Sequence, residues 1–254
     1  MRYGLIGEKL GHSHSKYIHE RMVDCIYDLI PLNEDEFHLF MKNKDFAGIN
    51  VTIPYKEKVI PYLDEIDTLA EKIGAVNTIV NHNGRLTGYN TDFYGLLYLF
   101  HRNNINPEQK KCLILGNGGT SKTAQAVLEK LGASNILVVS RNPMGKNQIS
   151  YEECYDSHCD AQVIVNTTPV GMYPNIQASP LDLTAFTKCM AVVDVIFNPV
   201  QTMLTKQAKS LGIAAITGLP MLVAQARQAE EYFRGIALDE GIIDRITQEL
   251  LERI

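Results

Sequence analysis

The chain has 254 residues, 45% of them hydrophobic and 21% charged, a composition that builds ordinary globular domains and allows one large core or two modest ones. No apolar run is long enough to span a bilayer, and the N-terminal MRYGLIGEKLGHSHSK lacks the apolar segment of a secretory signal, so a cytoplasmic protein with no membrane partner is expected. A formal net charge of -5 and few aromatics leave no basic stripe or stacking platform, so no nucleic acid partner is expected either.

In chain order, segments alternate between strand-like and helix-like, the signature of parallel α/β architecture. RYGLIG opens as a strand, SKYIHERMVDCI has helical spacing, and CIYDLIPL is the next strand. EDEFHLFMKNK reads as a helix, AGINVTI as a strand, and LDEIDTLAEKIG as one amphipathic helix capped by Gly74. AVNTIVNHNGRLTGYN holds two short apolar runs around Asn83-Gly84, the strongest short hairpin signal, so an antiparallel ribbon is expected there. A helix from Asp92 to about His101 leads into the polar NNINPEQKK, taken as a domain boundary. KCLILGNGGTSKTAQAVLEKLGASNILVVSR then reads as a βαβ unit, followed by strands at DAQVIVNTT, MAVVDVIF and AAITG. MLVAQARQAEEYFRGI and a closing helix from about Asp239 are expected to return to the first domain, giving domains of 1–101 with 221–254 and of 102–220.

The five cysteines, Cys25, Cys112, Cys154, Cys159 and Cys189, are odd in number and include no C-x-x-C pair, which predicts free thiols. Cys154, His158 and Cys159 fit no common ligand spacing, and alternate residues of the His12/His14 pair diverge with no third ligand evident, so no metal is expected.

Gly116-Asn117-Gly118-Gly119-Thr120-Ser121 lies between strand and helix, where glycines permit a tight turn and close approach of a pyrophosphate to the helix N-terminus. Ser121 holds the third place of G-x-G-x-x-G, so the fingerprint is imperfect, and a glycine-rich turn that binds nothing stays open as an alternative. An NAD site usually places a carboxylate at the end of the second strand. Here Ser140-Arg141 stands there, and a guanidinium suits a 2′-phosphate, which points to NADP; a solvated surface arginine is the plainer reading.

Ser13 and Ser15, in a loop before a helix, could converge on a carboxylate or simply cap that helix. Lys56 follows NVTIPY directly, with Asn50 and Thr52 interleaved among the apolar residues; Asn77 and Asp92 lie at neighbouring turns, Asp92 in the position of a helix N-cap. Lys56, Asn77 and Asp92 together lie at strand edges of one domain, where open α/β sheets hold their ligands.

The motifs GHSHS, NVTIPYK, IGAVNT, GYNTD, LGNGGTSKTA, NTTPVGM and GLPMLVAQA occur in the order found in shikimate dehydrogenases, and the chain resembles that family over nearly its entire length. The resemblance implies an N-terminal α/β substrate domain, a Rossmann-like NADP-binding domain, a cleft between them, and reversible NADPH-dependent reduction of 3-dehydroshikimate to shikimate on the route to chorismate and aromatic amino acids. It implies that Lys56 and Asp92 are the catalytic pair, that Ser13 and Ser15 hold the substrate carboxylate, and that Thr52, Asn77 and Gln225 meet the ring hydroxyls. It assigns Gly116, Asn117, Gly118, Gly119, Thr120, Ser140, Arg141 and Gly218 to the cofactor.

This chain departs from the family pattern at three named positions, and its C-terminus lacks the usual tryptophan-containing ending. Lys16 stands where proline is usual and Glu20 where asparagine is common. Phe197, in DVIFNP, replaces a tyrosine beside substrate and nicotinamide. The missing hydroxyl leaves open a quinate/shikimate dehydrogenase with relaxed substrate or cofactor choice; an idle NADP-binding sensor is the reading from another class. The expected partner is a small molecule, and the expected assembly a monomer or homodimer.

Overall fold

The computed structural model describes residues 2–11 and 13–253, so His12 of the GHSHS motif lies outside the described residues. The chain divides into two compact units, one of Met1–Gly95 with Val223–Ile254 and one of Leu96–Leu222. The divisions fall inside helices.

In chain order the elements begin with β1 (Tyr3–Gly7), α1 (Ser15–Met22), β2 (Tyr27–Pro31), α2 (Glu34–Asn43), β3 (Gly48–Val51), β4 (Glu65–Ile66), α3 (Thr68–Ile73), β5 (Thr78–His82), β6 (Arg85–Tyr89) and α4 (Thr91–Arg102). They continue with β7 (Lys111–Leu115), α5 (Gly119–Lys130), β8 (Asn135–Val139), β9 (Gln148–Ile149), α6 (Tyr151–Ser157), β10 (Val163–Asn166), β11 (Ala191–Asp194), α7 (Met203–Ser210), β12 (Ala214–Ile216), α8 (Leu219–Arg234) and α9 (Gly241–Leu251).

The sheet of the first unit has the order β2-β1-β3-β5-β6-β4. Strands β2, β1 and β3 run parallel, β5 and β6 form an antiparallel ribbon against β3, and β4 adds parallel to β6. The ribbon turns at Asn83 and Gly84, with φ of 54° and 89°, the two positive angles that a type I′ turn demands. Ile6, Ile49, Ile79 and Leu86 from these strands pack with Phe37 and Met41 of α2 into one buried core, each such side chain contributing about 1.5 to 3 kcal/mol of hydrophobic free energy. On α8, Phe233 covers the start of β3 so closely that a Cβ on Gly48 would fall 2.3 Å from its ring.

One expectation needs correction. LDEIDTLAEKIG is not a single helix, because Asp67 caps α3 by accepting from Leu69 N–H at 3.0 Å, while Asp64 and Asp67 donate their N–H groups to Leu86 and Gly88 carbonyls on β6. The capping aspartate starts the helix late, and the stretch before it is used to extend the sheet. Gly74 ends α3 in the left-handed conformation, φ 71°.

Strand β2 forms one edge of this sheet. Lys16 Nζ donates to Glu20 Oε1 at 2.6 Å and to the Tyr27 carbonyl at 2.8 Å, and Glu20 Oε1 accepts the Tyr27 N–H at 3.1 Å. Two of the residues that depart from the family pattern, Lys16 and Glu20, are therefore matched to each other.

The second unit carries an all-parallel sheet of order β12-β11-β10-β7-β8-β9. Its central strands β7, β10 and β11 are near-continuous buried apolar runs, the pattern of a parallel sheet packed on both faces. The order reverses at β7, so the glycine turn after β7 sits at the switch point where such sheets bind ligands.

Candidate active site

In the first unit the carboxyl ends of β1, β3 and β6 and the amino end of β5 lie together, since Asn50 of β3 pairs with Thr78 of β5, which pairs with Tyr89 of β6. Every substrate or catalytic residue singled out in the sequence except Gln225 leaves one of these strand ends.

Beyond β3, Thr52 N–H donates to the Ile6 carbonyl, and the threonine methyl lies over Gly7, where a Cβ would meet it at 2.5 Å. Tyr55 then turns into the core, its ring stacked on Phe37 at 4.2 Å and its hydroxyl donating to the Leu32 carbonyl at 2.6 Å. With Tyr55 anchored, Lys56 reaches Asp92: Nζ to Oδ2 is 2.6 Å. Their side chains are 21% and 14% exposed, dry enough to hold one geometry and open enough to meet a small molecule.

Asp92 is not the N-cap of α4. Asn90 Oδ1 accepts the Phe93 N–H at 3.2 Å, and Asn77 Oδ1 accepts the Thr91 N–H at 2.6 Å. Those two asparagines serve the helix start and leave the Asp92 carboxylate to pair with Lys56, in a first turn that favours negative charge.

Asn77 is buried, and its amide also donates to Thr91 Oγ1 at 3.1 Å. Thr91 Oγ1 in turn lies 3.3 Å from Gln225 Oε1, which brings α8 to the same place. Sequence reasoning assigned no role to the residues that hold this wall. Asn50 Oδ1 accepts from the Tyr27 hydroxyl at 2.6 Å, Asn50 Nδ2 donates to Thr78 Oγ1 at 2.9 Å, and Thr78 Oγ1 lies 3.1 Å from Thr91 Oγ1. Asn50 interleaved in an apolar strand was the available signal.

The Ser13 and Ser15 hydroxyls lie 3.1 Å apart. The residue in the N-cap position of α1 is His14, which makes no side-chain cap bond, and Ser13 Oγ accepts from Ser15 N–H at 3.2 Å. Ser13 thus takes up the first N–H of α1, as a capping side chain does, while its own hydroxyl donates to Ser15 Oγ.

In the second unit Gly116 has φ 95°, and a Cβ there would fall 2.9 Å from Thr168 Cγ2, so the turn needs glycine twice over. Gly118 is the N-cap of α5, with Asn117 before it and Gly119 and Thr120 opening the helix. A Cβ on Gly118 or Gly119 would meet nothing within 4 Å, leaving open space over the helix N-terminus. Ser121 is buried there with its hydroxyl unpartnered. This is a turn shaped to admit a phosphate group. At the end of β8, Ser140 is buried and its Oγ accepts the Asn142 N–H at 3.2 Å, a turn that leaves Arg141 exposed. Gly218 has a packing reason: a Cβ would fall 2.1 Å from the Val195 carbonyl oxygen.

Asp194, at the end of β11, was also missed. It accepts from Asn166 Nδ2 at 3.0 Å, Ile196 N–H at 3.1 Å and the Thr202 hydroxyl at 2.7 Å, fixing both ends of the loop that carries Phe197. Burial pushes its carboxyl up to about 6, against these three hydrogen bonds. Among the described residues no cluster of three or more His, Cys, Asp or Glu could hold a metal ion, and the five cysteines are unbonded to one another.

The family model of the shikimate dehydrogenase substrate binding domain matches residues 5–79. The NADP-dependent shikimate dehydrogenase of Clostridium perfringens is 38% identical, with 98% of this chain and 97% of that protein covered. A chorismate mutase/shikimate 5-dehydrogenase fusion protein from Clostridium acetobutylicum superposes with a TM-score of 0.93 at 39% identity, covering 99% of this chain and 97% of that one. Shikimate 5-dehydrogenase from Thermus thermophilus, in complex with NADP(H) and shikimate, superposes with a TM-score of 0.87 at 28% identity over 98% and 99% of the two chains. At 38% and 39% identity over nearly the full length of both chains, the chain belongs to the shikimate dehydrogenase family.

Proposed function

We propose that this protein catalyses the reversible NADPH-dependent reduction of 3-dehydroshikimate to shikimate. The observation that carries the reading is the Lys56–Asp92 pair, 2.6 Å apart at converging strand ends and beside buried hydrogen-bonding side chains suited to a polyhydroxylated ring.

The alkoxide that forms as a carbonyl is reduced needs a proton, and Lys56 Nζ supplies it; in the oxidative direction Lys56 takes it back. Asp92 fixes the ammonium and offers its second oxygen to a substrate hydroxyl. Ser13 and Ser15 donate to the substrate carboxylate, while Thr52, Asn77 and Gln225 meet ring hydroxyls. Bound NADPH supplies the hydride. The glycine turn from Gly116 to Thr120 and the N-terminus of α5 would hold its pyrophosphate, Ser140 and Arg141 its 2′-phosphate, and Gly218 would line the same site. The space over Gly118 and Gly119 and the unpartnered Ser121 hydroxyl fit such a group.

We place the enzyme in the cytoplasm, in keeping with five unbonded cysteines and with the lack, among the described residues, of any helix long and apolar enough to cross a membrane. We take it to act on small molecules alone, as a monomer or homodimer.

The test is oxidation of shikimate and of quinate, each with NADP and with NAD. Shikimate with NADP as the best pair supports the reading. Quinate as the better substrate would replace it with a quinate dehydrogenase, an outcome that Phe197 makes worth measuring.

A further inference from the structure

His19 and Glu230 are both fully buried, and His19 Nδ1 lies 2.5 Å from Glu230 Oε1. Glu230 Oε2 also accepts from Arg234 Nε at 2.8 Å. Burial pushes the Glu230 carboxyl up, but the hydrogen bonds and charges of His19 and Arg234 outweigh it and leave the group below its ordinary range. No step of the proposed reaction uses either residue, yet a dry polar contact of this kind is costly to build.

Its placement gives it a task. His19 is on α1, one turn beyond Ser15, so the helix that begins at the two serines carries His19 on the same side. Glu230 is on α8, five residues beyond Gln225. The His19 ring stacks on Tyr27 at 4.0 Å, and the Tyr27 hydroxyl starts the hydrogen-bonded chain through Asn50, Thr78 and Thr91 that ends at Gln225 Oε1. Polar contacts thus bind α1 to α8 directly and again by way of the wall of the site. Apolar packing along α8, through Ala229 and Phe233, is not directional and tolerates sliding. A short hydrogen bond between buried groups is not tolerant in that way.

We propose that the His19–Glu230 contact is a positioning element that sets the distance between the carboxylate-binding serines on α1 and the hydroxyl-binding Gln225 on α8, and so selects a substrate whose carboxylate and ring hydroxyl have the spacing of shikimate. The inference rests on the assignment of Ser13, Ser15 and Gln225 to substrate.

Glu230→Met keeps length and volume but removes the acceptor, and Glu230→Gln keeps a carbonyl oxygen for His19. Misplacement of one binding group by a fraction of an ångström should raise KM for shikimate about tenfold in Glu230→Met, with KM for NADP unchanged, while Glu230→Gln recovers most of the loss. In the double variant with Ser15→Ala the two KM effects should fall short of their product, because a misplaced serine that has already lost its hydroxyl has nothing further to lose. A purely structural contact would give the full product, or would raise both KM values together as the melting temperature fell; either result overturns the proposal. If Ser15→Ala raises KM and Glu230→Met does not, the positioning role fails and the substrate assignment stands. If Ser15→Ala itself leaves KM unchanged, the substrate assignment fails and takes the proposal with it. Should Glu230→Met not fold, His19→Gln, whose amide nitrogen stands one bond farther from Cβ than Nδ1 and so displaces the donor, carries the same measurements.

Discussion

Lys56 Nζ and Asp92 Oδ2 meet at 2.6 Å across 36 residues of sequence, the lysine from the turn after β3 and the aspartate from the first turn of α4. Helix α4 is free to give up this carboxylate only because Asn90 and Asn77 already satisfy its first N–H groups. Lys56→Ala should therefore lower kcat by about 10²- to 10⁴-fold, the usual loss for a positioned acid or base, with KM for shikimate little changed. Steady-state kinetics that leave kcat near normal would remove Lys56 from the chemistry.

Arg141 stands exposed on a turn organised by the Ser140 hydroxyl. A charge-assisted contact with a 2′-phosphate is worth about 1.5 to 3 kcal/mol, or roughly ten- to a hundredfold in cofactor discrimination. Arg141→Ala should lose that much kcat/KM for NADPH and little for NADH. Both cofactors must be measured at one ionic strength, since salt screens an exposed pair. Equal losses would mean that the guanidinium supports the turn and does not read the phosphate.

Phe197 lies on the loop that Asp194 fixes from both ends. The family resemblance implies a ring beside substrate at this position, and a hydroxyl returned there is worth about 0.5 to 1.5 kcal/mol, so Phe197→Tyr should lower KM for shikimate by a fewfold. A higher KM would show a pocket already fitted to phenylalanine.

Asp194 should also leave a mark on stability. Its carboxyl is raised by burial from an ordinary 3.8 to about 6 in the folded chain. Between those values the unfolded chain has released a proton that the folded chain still holds, so the contribution of Asp194 to stability falls as pH rises through that window. Asp194→Asn does not titrate. The stability of wild type relative to this variant should therefore decline between about pH 4 and pH 7, by on the order of 1 to 3 kcal/mol. Urea unfolding at the two pH values reads the difference, and a constant gap would mean that the carboxyl ionises alike in both states.

What the sequence made legible was local or joined adjacent elements. Asn83-Gly84 could be read as a hairpin because only a few residue types accept two successive positive φ angles. The turn from Gly116 to Gly119 between strand and helix could be read because strand, glycines and helix are contiguous. The start of α4 misled because Asn90, Thr91 and Asp92 are all good caps, and only tertiary partners decide which one does the capping: Lys56 claims the aspartate. LDEIDTLAEKIG misled because the open edge of β6 competes with helix formation for the same backbone groups. Least legible were His19 and Glu230, 211 positions apart, whose pairing depends on how α1 and α8 pack on the sheet.

Lys16 and Glu20 have an effect that reaches beyond their own helix. On the outer side of β2 the backbone of Tyr27 has both its N–H and its carbonyl already engaged by these two side chains, and Pro31 at the far end has no N–H to give. An incoming strand would find both backbone groups of Tyr27 taken and no donor at Pro31, which weakens edge-to-edge pairing along this border. Reverting Lys16 to proline would reopen the Tyr27 carbonyl to such an intruder, making a family-typical residue a solubility liability in this particular chain.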